Sequence, residues 1–309
     1  MTNIHSAWHV LGAGSIGCLF ACNLQRNHRP VQLIVREAAR AMLQERNGIT
    51  LERNGELMQI PLQAEIAATL TAPIQNLLLC TKAHQALEAL KSIRTRLQDK
   101  PTIVLLQNGM GLREKILQAF PSAVVLHAVT TEGAYQRERF HVIHAGRGET
   151  FVGAIDDIDS LRAQFVADAL HGELRVSAVD DIEERLWRKL AVNSVINPLS
   201  ALANRRNGEL LEAPGISEKV RELCDEVALV AAADGHQISP AALLAATFEV
   251  MRATASNRSS MLQDIQAGRP TEIEYINGFI VRKAMQYGIP CPQQITLYDA
   301  IKNKEHAFS

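Results

Sequence analysis

Few sequence features restrict a fold as far as a strand, a G-x-G-x-x-G loop and a helix in immediate succession. Here Trp8–Gly12 reads as a short buried strand, GAGSIG follows at Gly12–Gly17, and an apolar helical pattern continues to about Asn27. Gly12 permits the tight turn, Gly14 lets backbone approach a pyrophosphate, and Gly17 lets the helix pack closely on the strand. Ala13, Ser15 and Ile16 complete the loop, and the helix N-terminus offers free N–H groups to phosphate. The competing interpretation is a glycine-rich turn that binds nothing.

The second strand, Val31–Val35, ends in Arg36. An NAD-binding fold usually places Asp or Glu here, about 20 residues beyond the glycine loop, to hold the ribose 2′-hydroxyl. A guanidinium suits a 2′-phosphate instead, so the expected cofactor is NADP(H), with Arg40 one turn along the next helix to assist. Two alternatives stand beside this: Glu37 serves the ribose, or Arg36 merely ends the strand in solvent. Two short strands, Ile49–Arg53 and Leu57–Leu62, flank the turn signal Asn54–Gly55. Asn76–Cys80 is the next buried parallel strand. Its exit carries Lys82 and Gln85, placed for the nicotinamide end of the cofactor, because open α/β sheets bind ligand at strand C-termini. Thr102–Leu106 repeats the arrangement, and Asn108 at its glycine-rich exit Gln107–Gly111 offers a donor and an acceptor. Ala123–Thr131, Gly133–Gln136, Phe140–His144 and Thr150–Val152 extend or close the sheet, Ser160–His171 is a helix, and Arg175–Ala178 is a last strand. The first half is thus a doubly wound parallel sheet with an antiparallel edge.

Beyond about Asp180 the periodicity changes to that of helices: Ile182–Ala203, Pro214–Asp234, Pro240–Thr254, Ser260–Ala267, Thr271–Tyr287 and Pro292–Lys302. Pro198 and Asn207–Gly208 are expected to break the first, Gly235 to end the second, Ser239–Pro240 to open the third and Gly288–Pro290 to close the fifth. A chain of 309 residues is long for one core, so two domains are expected: residues 1–180 binding the dinucleotide and residues 181–309 all-helical, with the catalytic crevice between them.

Within Trp187–Ser200, Lys189, Asn193 and Asn197 are spaced by four and stack along one helix flank, while Leu190, Val192, Val195 and Ile196 make the other sides apolar. Unpaired polar groups are costly in a protein interior, so a ligand carrying a carbonyl and hydroxyls would account for them. A flank facing solvent is the alternative. A helix opens at Asn257–Met261 with a serine at its cap, and Thr271–Glu274 opens the next with an acidic turn. Capping and first-turn electrostatics therefore explain Ser260 and Glu272 as well as function does.

The net charge of −1 gives no footprint for nucleic acid or an anionic membrane, and no apolar run approaches the ~20 residues of a membrane span. The start, MTNIHSAWHVLGAGSIG, lacks the pattern of a secretory signal. Five scattered cysteines (Cys18, Cys22, Cys80, Cys224 and Cys291) without Cys-x-x-Cys point to reduced thiols in the cytoplasm. His141 and His144 have no third ligand near them in sequence, so no metal is expected.

Several blocks together resemble the ketopantoate reductase (2-dehydropantoate 2-reductase) family: GAGSIG, K-x-x-Q at Lys82–Gln85, QNGMG at 107–111, WRKLAVNSVINPLSAL at 187–202, NGEL at 207–210, and NRSSMLQDI and TEIEYINGF within 257–279. The likeness runs from about Val10 to about Asp299, and the seven or so residues before the first strand are an extension that the family usually lacks and that is expected to be inert. The resemblance implies an α/β Rossmann-type N-terminal dinucleotide-binding domain and an all-α C-terminal domain like that of 6-phosphogluconate dehydrogenase. It implies NADPH-dependent reduction of ketopantoate to pantoate, on the route to pantothenate and coenzyme A, by a monomer or homodimer whose partner is a small-molecule substrate. Carried over by position, Lys189 is the general acid and Glu272 its acidic partner. Asn108, Asn193, Asn197 and Ser260 contact substrate, and Asn257 borders the same pocket. Gly12, Ala13, Gly14, Ser15, Ile16, Gly17, Arg36, Lys82, Gln85, Asn108 and Glu272 serve the cofactor. Burial would lower the pKa of Lys189 and Glu272 would raise it, and the sequence leaves open which prevails. The alternatives are a related NADP-dependent reductase of another 2-oxo or 3-hydroxy acid, and a non-enzymatic NADPH-sensing protein.

Overall fold

Near-continuous apolar runs such as Leu77–Leu79 and Ile103–Leu105 suit strands covered on both faces, and in the computed structural model they are the enclosed centre of a sheet. The structure describes residues 7–156 and 159–308. The extension before the first strand, expected to be inert, lies outside the described residues except for Ala7. The chain forms two compact units: one comprises the chain up to Gln107 together with Arg113–Ile182, and the other Asn108–Leu112 together with Glu183 onward.

The first unit runs β1 (Trp8–Leu11), α1 (Ser15–Arg26), β2 (Val31–Ile34), α2 (Glu37–Glu45), β3 (Ile49–Arg53), β4 (Glu56–Ile60), β5 (Gln63–Glu65), β6 (Ile74–Leu79), α3 (Ala83–Ser92) and β7 (Leu97–Leu105). It continues through α4 (Arg113–Ala119), β8 (Val124–Thr130), β9 (Gly133–Glu138), β10 (His141–Gly146), β11 (Glu149–Gly153), α5 (Ser160–Leu170) and β12 (Arg175–Ala178). Eight strands form one sheet in the order β12-β11-β8-β7-β6-β1-β2-β5. Neighbours from β5 to β8 are parallel, β11 runs antiparallel to β8, and β12 is parallel to β11. This is the expected Rossmann-type sheet with its antiparallel edge. Strand order reverses between β6 and β1, the place where open sheets of this kind bind ligand.

Two features differ from the sequence expectation. β5 is a three-residue strand beside β2, too short to leave a periodic signal. β9 and β10 do not extend the main sheet. With β3 and β4 they form a second sheet, in the order β4-β3-β10-β9, in which β10 pairs parallel to β3. The reason lies in α1, whose residues Gly17–Leu24 are all buried and which packs against strands of both sheets. A helix apolar on every side needs cover on every side. Even its Asn23 is enclosed, donating to the Leu170 carbonyl at 2.7 Å and accepting from Leu174 N–H at 3.1 Å.

The second unit is helical: α6 (Ile182–Ala203), α7 (Asn207–Leu210), α8 (Ile216–Ala233), α9 (Pro240–Ala253), α10 (Ser260–Gln266), α11 (Asn277–Tyr287) and α12 (Pro292–His306). Ser239 caps α9, and Gly235 and Gly288 end α8 and α11 in left-handed conformation. Three local expectations are corrected. Pro198 does not break α6, which continues five residues past it. Asn207–Gly208 belong to the short α7 rather than to a break. The helix expected from Thr271 begins only at Asn277, after a 3-10 turn at Ile273–Tyr275, because Thr271 Oγ1 takes the Ile273 N–H and Ile276 leaves helical geometry.

Asn108–Leu112 joins the second unit although both flanks belong to the first. Met110 N–H donates to the Tyr275 carbonyl at 2.8 Å, and Gly109, at φ +89°, lies so close that a Cβ would overlap the same carbonyl oxygen. Gly109→Ala is therefore expected to cost about 2–4 kcal/mol in a urea titration. Gly288→Ala, equally left-handed but facing open space, should cost only about 1 kcal/mol.

Candidate functional site

In the first unit, the glycine loop separates structural from ligand demands. Gly12 adopts φ +104°, and a Cβ on it would lie 2.7 Å from Thr81 N. A Cβ on Gly17 would overlap the Gly12 carbonyl oxygen. Packing of the chain on itself explains both glycines. Gly14 is different: its φ is an ordinary −72°, and nothing lies within 4 Å of where a Cβ would stand. Neither strain nor packing calls for glycine there, whereas close approach of a ligand does. Gly14 is also the N-cap of α1, with no side-chain cap and no acidic residue in the first turn, so the helix presents its N–H groups and partial positive charge at that opening. These residues fit a dinucleotide pyrophosphate.

Arg36, Lys82 and Gln85 stand at neighbouring strand exits. Register pairs Leu11 of β1 with Ile34 of β2 on one side and Leu79 of β6 on the other. The glycine loop, Arg36 and Lys82 therefore follow the C-terminal ends of three adjacent parallel strands. Arg36 is exposed, and among the described residues its guanidinium has no ion-pair partner. Arg40 pairs at 2.9 Å with one oxygen of Glu37, the carboxylate that was the alternative ribose ligand. Lys82 is half-buried at the N-cap of α3, and Gln85 is exposed on its first turn.

One residue of this site escaped the sequence analysis. Gln136, on β9 of the second sheet, donates from Nε2 to the Ala13 carbonyl at 2.9 Å. A peptide unit is planar, so holding that carbonyl fixes the direction of the Gly14 N–H. Nothing local in the sequence marks Gln136, because β9 reaches α1 only through a sheet pairing made elsewhere.

In the second unit, α6 carries Lys189, half-buried as a residue but with its ammonium end enclosed, Asn193, half-buried, and Asn197, which is buried. Glu272 is buried, and Asn108 Nδ2 donates to its Oε2 at 3.3 Å. Burial pulls the Lys189 ammonium down from 10.5 to about 8 against the opposing pull of the Glu272 carboxylate. Desolvation therefore outweighs the attraction of that carboxylate. The loop before Glu272 is fastened by Glu305, whose Oε1 accepts both the N–H and the hydroxyl of Thr271 at 2.7 Å. Glu305 is a second residue that the sequence analysis missed.

The alternative explanations for Ser260 and Glu272 do not describe what the structure shows. Ser259, not Ser260, caps α10, accepting from Leu262 N–H at 3.0 Å and receiving the Ser200 hydroxyl at 2.6 Å. Ser260 is exposed beside it, as is Asn257. Glu272 precedes a 3-10 turn rather than opening a helix. Asn108, Lys189 and Glu272 are thus brought together, whereas beside Asn257 and Ser260 the bond to α6 is made by Ser259 with Ser200.

His141 and His144 face Glu52 at 3.1 Å and Glu132 at 2.6 Å. Among the described residues no group of three or more His, Cys, Asp or Glu is placed to hold a metal ion, and no helix is long and apolar enough to cross a membrane.

Comparison with known proteins gives two family matches, described as Ketopantoate reductase PanE/ApbA over residues 8–157 and Ketopantoate reductase PanE/ApbA C terminal over residues 181–305. A 2-dehydropantoate 2-reductase of Yersinia pestis is 37% identical over 302 residues, covering 97% of this chain and 95% of that protein. Among solved structures, D-mandelate dehydrogenase with NADH and anilino(oxo)acetate matches with a TM-score of 0.91 at 25% identity, covering 98% of this chain and 99% of that one. A PanE/ApbA family ketopantoate reductase from Ralstonia eutropha JMP134 matches with a TM-score of 0.86 at 26% identity, with the same coverage.

The depressed pKa of Lys189 has a consequence for stability. Its folded value, about 8, lies below the ordinary 10.5, so the penalty for the buried charge grows as pH falls from 10.5 and is complete below about 8. Lys189→Met should therefore raise the thermal midpoint at pH 7, by about 2–4 °C, and the gain should vanish as pH approaches 10.5. Calorimetry at the two pH values checks this; a lower midpoint at pH 7 would show that loss of the attraction to Glu272 dominates.

Proposed function

The chain belongs to the ketopantoate reductase family, and from that premise we propose that it reduces ketopantoate (2-dehydropantoate) to (R)-pantoate with NADPH, a step towards pantothenate and coenzyme A. The first unit takes the nucleotide and the second takes the substrate. The observation that carries this is the cluster of Asn108, Lys189 and Glu272, beside two further amides on the Lys189 flank of α6.

NADPH, when bound, supplies the hydride that the ketone carbon gains. Negative charge then develops on the ketone oxygen, and a proton must reach it in the same step. Lys189 Nζ gives that proton. With a pKa of about 8 it is mostly ammonium at neutral pH, yet it releases its proton more readily than an ordinary lysine. Glu272 favours the charged form of that ammonium and orients Asn108. Asn193 and Asn197, each able to donate and accept, hold the carboxylate and hydroxyl groups of the substrate, and Ser260 and Asn257 extend that contact. The α1 N-terminus holds the pyrophosphate, Arg36 the 2′-phosphate, and Lys82 and Gln85 stand towards the nicotinamide.

A second reading, reduction of a different 2-oxo acid with NADH, is supported by the structural match to a D-mandelate dehydrogenase that holds NADH. Steady-state assay of ketopantoate and of the 2-oxo acid corresponding to mandelate, each with both nucleotides, separates the two. Turnover of ketopantoate, with kcat/KM about 10–100-fold higher for NADPH than for NADH, is expected from a charge-assisted contact at Arg36. Turnover of the other acid alone would overturn the substrate assignment. Arg36→Asp should abolish the NADPH preference, and an unchanged preference would refute the role of Arg36. Lys189→Ala should lower kcat by about 10²–10⁴ while NADPH still binds. Because the acid form is the active one, kcat/KM should fall about tenfold per pH unit above pH 8. A profile flat to pH 10 would remove Lys189 as the acid.

A further inference from the structure

Pro198 lies inside α6, where it contributes no N–H. The carbonyl that such an N–H would bind is four residues back, on Ser194, and the proline ring crowds that carbonyl as well. Ser194 is fully buried, and a buried carbonyl without a donor is rare. The donor comes from another helix. Asn277, the first residue of α11 and fully buried, gives its Nδ2 hydrogens to the Ser194 carbonyl at 2.8 Å and to Gln294 Oε1 on α12 at 2.7 Å. The start of α12 is in turn fixed to α8, where Glu226 accepts the N–H groups of Gln293 at 2.8 Å and Gln294 at 2.9 Å. The missing bond of α6 is thus replaced by a chain of amides anchored on three other helices.

The defect spans the asparagines of the candidate site. Asn193 directly precedes Ser194, and Asn197 directly precedes Pro198, so the backbone held by Asn277 is the backbone from which both amides project. An ordinary residue at position 198 would let α6 close its own hydrogen bond, and the helix would then take its course from its own geometry. With proline there, the course is set from outside. We propose that Asn277 is a positioning residue for substrate binding: by supplying the hydrogen bond that Pro198 withholds from Ser194, it fixes where Asn193 and Asn197 stand. This rests on the substrate role proposed above for those two residues.

A double-mutant cycle tests it. Asn277→Leu removes the donor at similar size, Asn277→Ser keeps a hydroxyl too short to reach Ser194, and Pro198→Ala returns an N–H to the helix. In the parent protein, either change at Asn277 should raise KM for ketopantoate about tenfold or more, change kcat little, and leave the Kd for NADPH unaltered. In the Pro198→Ala background the same change should raise KM less than about threefold, because Ser194 then has a helical partner. Amide hydrogen exchange across residues 193–200 should follow the same pattern: faster in the single Asn277 variants and restored in the double variants. Exchange does not depend on turnover, so failure of the ketopantoate assignment is distinguishable from failure of this proposal. Equal effects of the Asn277 change in both backgrounds, or faster exchange with an unchanged KM, would overturn it.

Discussion

One buried ammonium and the carboxylate beside it govern the second unit. Removing a charge from water is costly, and a lysine enclosed alone would simply lose its proton. Glu272 opposes that loss without restoring the ordinary value, and Lys189 comes to rest at about 8. Such a balance depends on distance, so the carboxylate has to be held in place. Thr271 is fastened to Glu305, the backbone turns at Ile273–Tyr275, and Asn108 reaches Glu272 from a segment that has left the first unit. That segment is held at Gly109, against the Tyr275 carbonyl. The position of the site carboxylate therefore depends on a glycine 163 positions earlier in the chain, which is why the QNGMG run and the TEIEY run belong to one structural unit.

The two units solve a similar problem in similar ways. Each builds its candidate site on a helix with much of its surface buried, α1 in one and α6 in the other, and in each a side-chain amide from a distant element orients a backbone carbonyl at the critical place. Gln136 holds Ala13 in the glycine loop, and Asn277 holds Ser194 at the proline of α6. Local propensity sets neither geometry. Both are fixed by tertiary hydrogen bonds in settings where an unpaired partner would be expensive, so each is sharply defined.

Much of this was legible in the sequence, for identifiable reasons. The glycine loop shows itself because strand, loop and helix chemistry coincide within twenty residues, and α6 shows itself because its apolar residues surround a flank of residues spaced by four. Helix limits in the second half fall within a few residues of the punctuation that announces them, as at Ser239 and Gly288. What stayed hidden depends on partners far away in the chain. Alternation in β9 and β10 marks strands but does not name the sheet they join, and that choice was made by the buried surface of α1. A local rule breaks helices at proline, yet α6 passes Pro198 because Asn277 supplies the missing donor. Of the adjacent serines 259 and 260, periodicity cannot say which is the cap, because the answer lies in which hydroxyl meets Leu262 N–H. The pKa of Lys189 was undecidable for the same reason: two effects of opposite sign are both present, and only distances rank them.

The choice of nucleotide belongs to yet another level. A protein of nearly the same architecture holds NADH, so the fold alone does not select between the two cofactors. Selection has to come from side chains at the β2 exit, and there the arrangement is lopsided. Glu37, which a ribose hydroxyl would require, is already engaged by Arg40, whereas Arg36 presents an exposed guanidinium. The Arg40–Glu37 pair engages one oxygen of an exposed carboxylate and leaves the other open to a ribose hydroxyl, while a 2′-phosphate on Arg36 meets a guanidinium with no ion pair to break among the described residues. An exposed ion pair is itself worth little, so the obstacle to NADH is small and the greater part of any preference has to come from phosphate binding to Arg36. In the proposed reading, then, this chain favours NADPH by attracting the phosphate and hardly at all by rejecting the hydroxyl.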